Sequence, residues 1–219
     1  MRIILRYNLQ SIFMRKLVYL SAIALVLFGA QSCKKEKKTS EEPRAEEAAY
    51  HVDASLSSLQ WTAYKTTDKV PVKGTFKEVV VSKNKEGASP QDAVDGLEFK
   101  IPVSSIFTKD TIRDAKLVKF FFGVMENTLE LRGTLRMGEE QKGMLSLNMN
   151  GISKDLDFDY RVAQDTVILN AVLDLDNWKA QAALESINAA CIEMHKGPDG
   201  VSKTWNEVAI EARILTKIK

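Results

Sequence analysis

The chain is poor in the residues that carry most catalytic and metal chemistry. Its 219 residues include two cysteines and two histidines. A catalytic zinc site needs three protein ligands rich in His, Cys or carboxylate, and His51 and His195 stand far apart. No metal and no cofactor is expected. If Cys33 is used elsewhere, Cys191 has no partner and no disulfide framework can form; within its apolar helical pattern Cys191 reads as a small core residue. No Gly-x-Gly-x-x-Gly or Walker loop offers backbone amides to a phosphate, and no Ser, His and Asp grouping stands out. Acids recur at alternate positions, as in Asp155, Asp157 and Asp159, a spacing that puts them on one wet strand face. The expectation is a protein that is not an enzyme. An excess of one charge sign is also missing. Residues 1–32 hold Arg2, Arg6, Arg15 and Lys16 and no acid, so the 31 basic and 29 acidic side chains of the whole become 27 and 29 without them. That balance gives no electrostatic case for nucleic acid.

A bilayer-spanning run of roughly 20 apolar residues is absent too. The shorter apolar run 17–30 follows Met14, Arg15 and Lys16 and leads into Gln31, Ser32 and Cys33. A basic start, a short apolar stretch and small residues at its end make a secretory signal over residues 1–32, with Met14 as an alternative start. Cys33 after small residues resembles the lipobox of bacterial lipoproteins, in which the cysteine is acylated. The usual box has Leu where this chain has Ala30, and ordinary cleavage after Ser32 is the competing reading. Residues 33–48 are rich in Lys and Glu and hold no large apolar residue. They bury too little to offset their ordering entropy and are expected to be a tether. The expected location is the bacterial envelope, membrane-anchored through Cys33 and facing the periplasm or cell surface, with a folded domain over 49–217.

Within that domain apolar residues alternate. Leu59, Trp61 and Ala63 share one face; so do Val72, Gly74 and Phe76, then Phe99 and Ile101, then Leu129, Leu131, Gly133 and Leu135. Leu145 to Met149, Leu156 to Tyr160 and Val208 to Ile214 repeat the pattern, and Gly- or Asn-rich turns such as Asn150-Gly151 separate the runs. Many short strands with one wet face predict a mainly β, antiparallel sheet. Closure into a barrel or sandwich removes its edges. Residues 177–196 depart from alternation: Trp178, Leu184, Ile187, Cys191 and Met194 recur at helical spacing. Asp176 or Asn177 is the expected N-cap, and Gly197 the stop. His195 would then sit at the helix end, where a protonated imidazole suits the dipole. A second helical turn is expected over 110–121.

Three blocks stand out in order: Trp61, Lys65, Val70, Val72, Gly74 and Phe76; then Thr108, Arg113, Asp114, Leu117, Phe121 and Phe122; then Gly151, Ile152, Ser153, Lys154, Leu156 and Phe158. Together they resemble the YceI-like family, the first its opening hairpin and the others its second and third blocks. The resemblance spans most of residues 50–215. It implies a lipocalin-like antiparallel barrel of about eight strands that binds a polyisoprenoid lipid. Small inner residues Ala63, Gly74, Gly133 and Ala171 would leave room for the ligand among bulkier Trp61, Phe76, Phe99, Leu131 and Phe158. Arg113, Asp114, Phe121 and Phe122 would lie at the barrel mouth, with the charged pair anchoring a connection or holding a polar head. The alternative is a barrel filled by its own side chains, whose helix 177–196 and loop 197–203 bind a protein partner.

The leader reading is tested by substitution. Expressed in a bacterial host, Cys33→Ser is expected to lose incorporation of labelled palmitate and to leave the membrane pellet. Undiminished labelling of the variant would contradict it.

Overall fold

The computed structural model describes residues 49–219, so the leader, Cys33 and the tether lie outside it. Ten strands follow in chain order: β1 Tyr50–Lys65, β2 Val70–Phe76, β3 Val80–Lys83, β4 Glu98–Pro102, β5 Ile106–Phe107, β6 Glu130–Met137, β7 Lys142–Met149, β8 Ile152–Ala163, β9 Thr166–Asp174 and β10 Glu207–Ile218. All pairings are antiparallel, in the order β3-β4-β6-β7-β8-β9-β10-β1-β2-β5. The two ends of that order are pieces of one broken hairpin. Val80 faces Lys100 and Val81 faces Phe99 at one level; Thr75 faces Phe107 and Phe76 faces Ile106 further along. Between them the Lys77 amide donates to the Ser105 carbonyl at 2.8 Å. The break follows Pro102, which has no amide to give a ladder, and a 3-10 turn, Val103–Ser105, absorbs it. Counted by continuous chain runs, 70–83 and 98–107 are one strand each. The sheet is thus an eight-stranded ring, one end of the hairpin pairing with β6 and the other with β1.

The ring is not sealed along its whole height. Between Asp53 and Ser58 the register of β1 on β10 shifts. Among the described residues no ladder joins this bulged part of β1 to β3; the Tyr50–Gly87 bridge pins its lower end. A helix α1, Pro90–Val94, started by Ser89 as N-cap and Pro90 at its first turn, plugs that end of the barrel with fully buried Ala93 and Val94.

The other end carries α2, Thr111–Lys116, and α3, Gln181–Ala190. Asp110 caps α2 by accepting from the Ile112 and Arg113 amides, each at 3.0 Å. The chain continues through a π-helical turn, Leu117–Phe121, and a 3-10 turn, Phe122–Val124, where the sequence predicted a simple helical turn. The predicted helix 177–196 is shorter at both ends. Leu175–Trp178 is a separate 3-10 turn, Lys179 takes a left-handed φ of 51°, and the helix starts only after Ala180, which caps without a side-chain bond. Trp178 forces this break: it is fully buried and its Nε1 donates to the Leu147 carbonyl at 3.1 Å, an orientation outside the stripe of α3. The helix ends at Cys191, not Gly197. Leu129, expected on the inner face of a strand, is 86% exposed because β6 begins one residue later.

Glycine and aromatic residues pair across the ladders. Trp61 faces Gly74, Phe99 faces Gly133 and Phe158 faces Gly143. A Cβ on any of these glycines would overlap the ring of its partner, so each ring lies across its glycine and against the barrel wall. This is the cross-strand aromatic packing that compensates a strand glycine. It corrects the expected role of Gly74 and Gly133: the space their missing side chains leave belongs to Trp61 and Phe99, not to a ligand.

Gly74→Ala is therefore expected to cost about 1–3 kcal/mol by overpacking against the indole, read as a lower urea midpoint at unchanged slope. An unchanged midpoint would contradict this packing.

Candidate functional site

Alternation puts one apolar side chain in every two toward the barrel axis, and the flattened rings leave the axis open. A cavity of about 330 Å³ runs inside the barrel, within the size range of small-molecule sites. Trp61, Ala63, Phe76, Phe99 and Leu131, all expected at the site, line it, as do Phe121 and Phe122 from the capping segment. Leu145 and Leu147 of β7, Ile210 and Ala212 of β10, and Leu184 and Ile187 of α3 complete the wall. Alternation made the strand members of this second group readable as inner-face residues. It carried no sign of which ones border open space.

Four expected residues do not line the cavity besides Asp114: Gly74 and Gly133 under their rings, Ala171, and Phe158, which packs on Gly143 and edge-on to Tyr160 with ring centroids 6.3 Å apart. Phe158 and Ala171 are buried in the packed wall rather than beside the hollow. Asp114 turns into the protein. It accepts from the Thr108 amide at 2.8 Å and from the Thr108 hydroxyl at 2.6 Å, tying α2 to the end of β5. Arg113 stays at the cavity edge, 3.5 Å from Asp110. Helix-terminal amides donating to the Asp110 carboxylate, with Arg113 beside it, hold its pKa below the usual carboxylate value. The adjacent charged pair thus divides its labour: one side chain is structural, the other borders the opening.

The mouth is built from three segments that sequence reasoning did not join. Tyr64 and Lys65 end β1; Asp110, Ile112, Arg113 and Lys116 come from α2; Met194, His195, Thr204 and Trp205 come from the segment after α3. Hydrogen bonds lock them together. Lys65 Nζ donates to the Met194 carbonyl at 3.1 Å and Lys116 Nζ to the Ala190 carbonyl at 3.0 Å. Trp205 Nε1 donates to the Thr66 carbonyl at 2.8 Å. The Asn188 Oδ1 collects the hydroxyls of Ser202 and Thr204 at 3.1 and 2.9 Å, and His195 Nδ1 lies 2.8 Å from Thr204 Oγ1. His195 does not end the helix, and it does not favour the charged form as expected. Partial burial, then the positive charges of Lys65 and Lys116, lower its pKa from 6.5. The cavity lining also reaches the β1 bulge, through Ala54, Ser57, Ser58 and Val79.

An antiparallel barrel that is plugged at one end and hollow and apolar inside has a lipocalin-like architecture. The YceI-like domain model matches residues 50–215, and the chain belongs to that family. Among solved structures, a polyisoprenoid binding domain from Saccharophagus degradans is similar over 78% of this chain and 99% of its own, at 14% identity and a TM-score of 0.54. Burkholderia cenocepacia BcnA is similar over 76% and 99%, at 15% identity and a TM-score of 0.51. The Campylobacter jejuni YCEI protein is 22% identical over 65% of this chain and 84% of its own, with a TM-score of 0.41. A search among curated protein sequences found no match.

The latch around His195 gives a pH prediction. The unfolded histidine takes its proton near 6.5 and the folded one only at lower pH, so the unfolded state binds more protons in that window and stability falls on acidification. His195→Asn is expected to flatten the decline of the urea midpoint between pH 7 and 5. An identical decline in both proteins would contradict the latch.

Proposed function

We propose that this protein binds an apolar ligand, isoprenoid in class, inside its barrel, in a non-catalytic role as a carrier or sequestering protein of the bacterial envelope, held to a membrane through Cys33. The observation that carries the reading is the hollow: about 330 Å³ bordered by Trp61, Phe76, Phe99, Leu131, Leu145 and Leu147, with charged groups confined to its mouth. The name of one similar structure, a polyisoprenoid binding domain, supports the ligand class. A flexible, branched, unsaturated chain suits an apolar cavity walled by aromatic and aliphatic side chains. Each buried CH₂ contributes about 0.8 kcal/mol. About ten buried carbons thus supply about 8 kcal/mol, enough to compete with association costs of about 4–15 kcal/mol only if nearly all of the tail is enclosed. Binding should therefore depend on tail length more than on any single contact. Arg113 at the edge is the residue placed to meet a polar head.

Solvent extraction of the purified protein followed by mass spectrometry is expected to recover a prenyl lipid. Ala63→Phe, which places a ring in the cavity, should reduce binding of a fluorescent prenyl probe at least about tenfold while leaving the circular dichroism spectrum intact. Recovery of no lipid, with no probe binding to either protein, would overturn the reading.

A further inference from the structure

The rim of the barrel mouth carries a pattern that ligand enclosure does not require. Ile112 and Met194 both border the cavity, yet they are 71% and 52% exposed. A ligand-binding wall has no need to hold apolar side chains out in water. Ile192 and Val201, in the same segment as Met194, are exposed as well. Beside them stand Tyr64 and Trp205, part-buried aromatics with a polar tip. Lys203 Nζ lies 3.5 Å and Lys69 Nζ 4.9 Å from the Trp205 ring centroid. Exposed aliphatics, a Trp–Tyr pair and lysines that can extend past them form the composition that sits at a membrane–water boundary.

Charge sets three segments of the rim apart from the rest of the domain. Residues 49–219 hold 22 basic and 24 acidic side chains. The three mouth segments, 64–69, 108–119 and 191–205, hold eight basic residues and five acidic ones. The remainder is left with 14 basic and 19 acidic. On a domain of net negative charge these three segments thus form a net positive strip, in which Lys69 is paired with Glu207, Lys196 with Glu193 and Arg113 with Asp110.

We propose that the barrel docks mouth-first on an anionic phospholipid bilayer surface, with Ile112, Ile192, Met194 and Val201 entering the headgroup region and the lysines around them meeting lipid phosphates. Docking brings the opening of the cavity to the layer in which apolar molecules are dissolved, so transfer need not pass through water. The inference concerns the rim and stands whether or not the cavity ligand is an isoprenoid.

The intact chain carries its own probe. Its three tryptophans are Trp61, Trp178 and Trp205; the first two are buried and Trp205 is at the rim. Full-length protein is mixed with phosphatidylcholine vesicles, with or without phosphatidylglycerol, made with lipids brominated near the top of the acyl chain. Trp205 fluorescence is expected to be quenched with phosphatidylglycerol vesicles, and less so in phosphatidylcholine alone or at high salt. W205F should remove that quenching, and Lys109→Glu with Lys119→Glu should weaken vesicle partition by about tenfold. Three results would overturn the proposal. One is co-sedimentation, through any anchor, without quenching. Another is quenching that persists in W205F, which assigns the bromines to the cavity beside Trp61. The third is a rim-dependent dimer that forms without vesicles, which assigns the surface to a second copy.

Discussion

The structure depends on where its largest inner side chains lie. An eight-stranded barrel is wide enough for its own side chains or for one small ligand, and an indole or phenyl ring pointing at the axis would fill it. Here Trp61 and Phe99 lie flat, because the residue across the ladder from each is a glycine. The ring packs on backbone instead of reaching inward. The wall becomes thick and apolar while the axis stays open. The same pairing of Phe158 with Gly143 closes the packing on the wall itself. Three glycines that look like weak points in strands are therefore what allows a barrel with aromatic residues to stay hollow.

The ends of the barrel follow from that hollow. An open axis exposes apolar wall at both ends. One end is stoppered by the short helix α1, whose buried Ala93 and Val94 need no polar partner. The other is covered by α2, α3 and the segment after α3, joined through polar contacts: Thr108 with Asp114, Lys116 with the Ala190 carbonyl, and Asn188 with Ser202 and Thr204. An apolar stopper is a permanent closure; hydrogen bonds at a water-exposed rim are each worth only about 1 kcal/mol net and can be exchanged for water. The difference in chemistry makes the second end the natural route inward.

Much of this was legible in the sequence. Period-two alternation placed the strands and their inner faces, and the turn at Asn150-Gly151 is a two-residue link with φ of 52° and 67°, as its composition implied. The resemblance of three blocks led to the family. What alternation could not carry is depth. It marks Phe158 and Phe99 alike as inward, and only the partner strand and the position along the barrel separate a wall residue from one beside open space. Register is likewise a property of two strands, so Gly74 read alone suggested empty room when its partner was Trp61. The helix after β9 was misplaced because Trp178 fits helical spacing but is held by the Leu147 carbonyl on another element. The rim escaped because Lys65, Ile112 and Met194 are far apart in the chain and no single motif joins them.

A hollow that holds an apolar tail must bind it in proportion to how much of the tail it encloses. The direct measurement is calorimetric titration with prenyl alcohols of increasing length. The account expects affinity to rise with each added isoprene unit until the cavity is full and then to level, with a negative heat-capacity change. No heat at any length, or an affinity that ignores tail length, would contradict it.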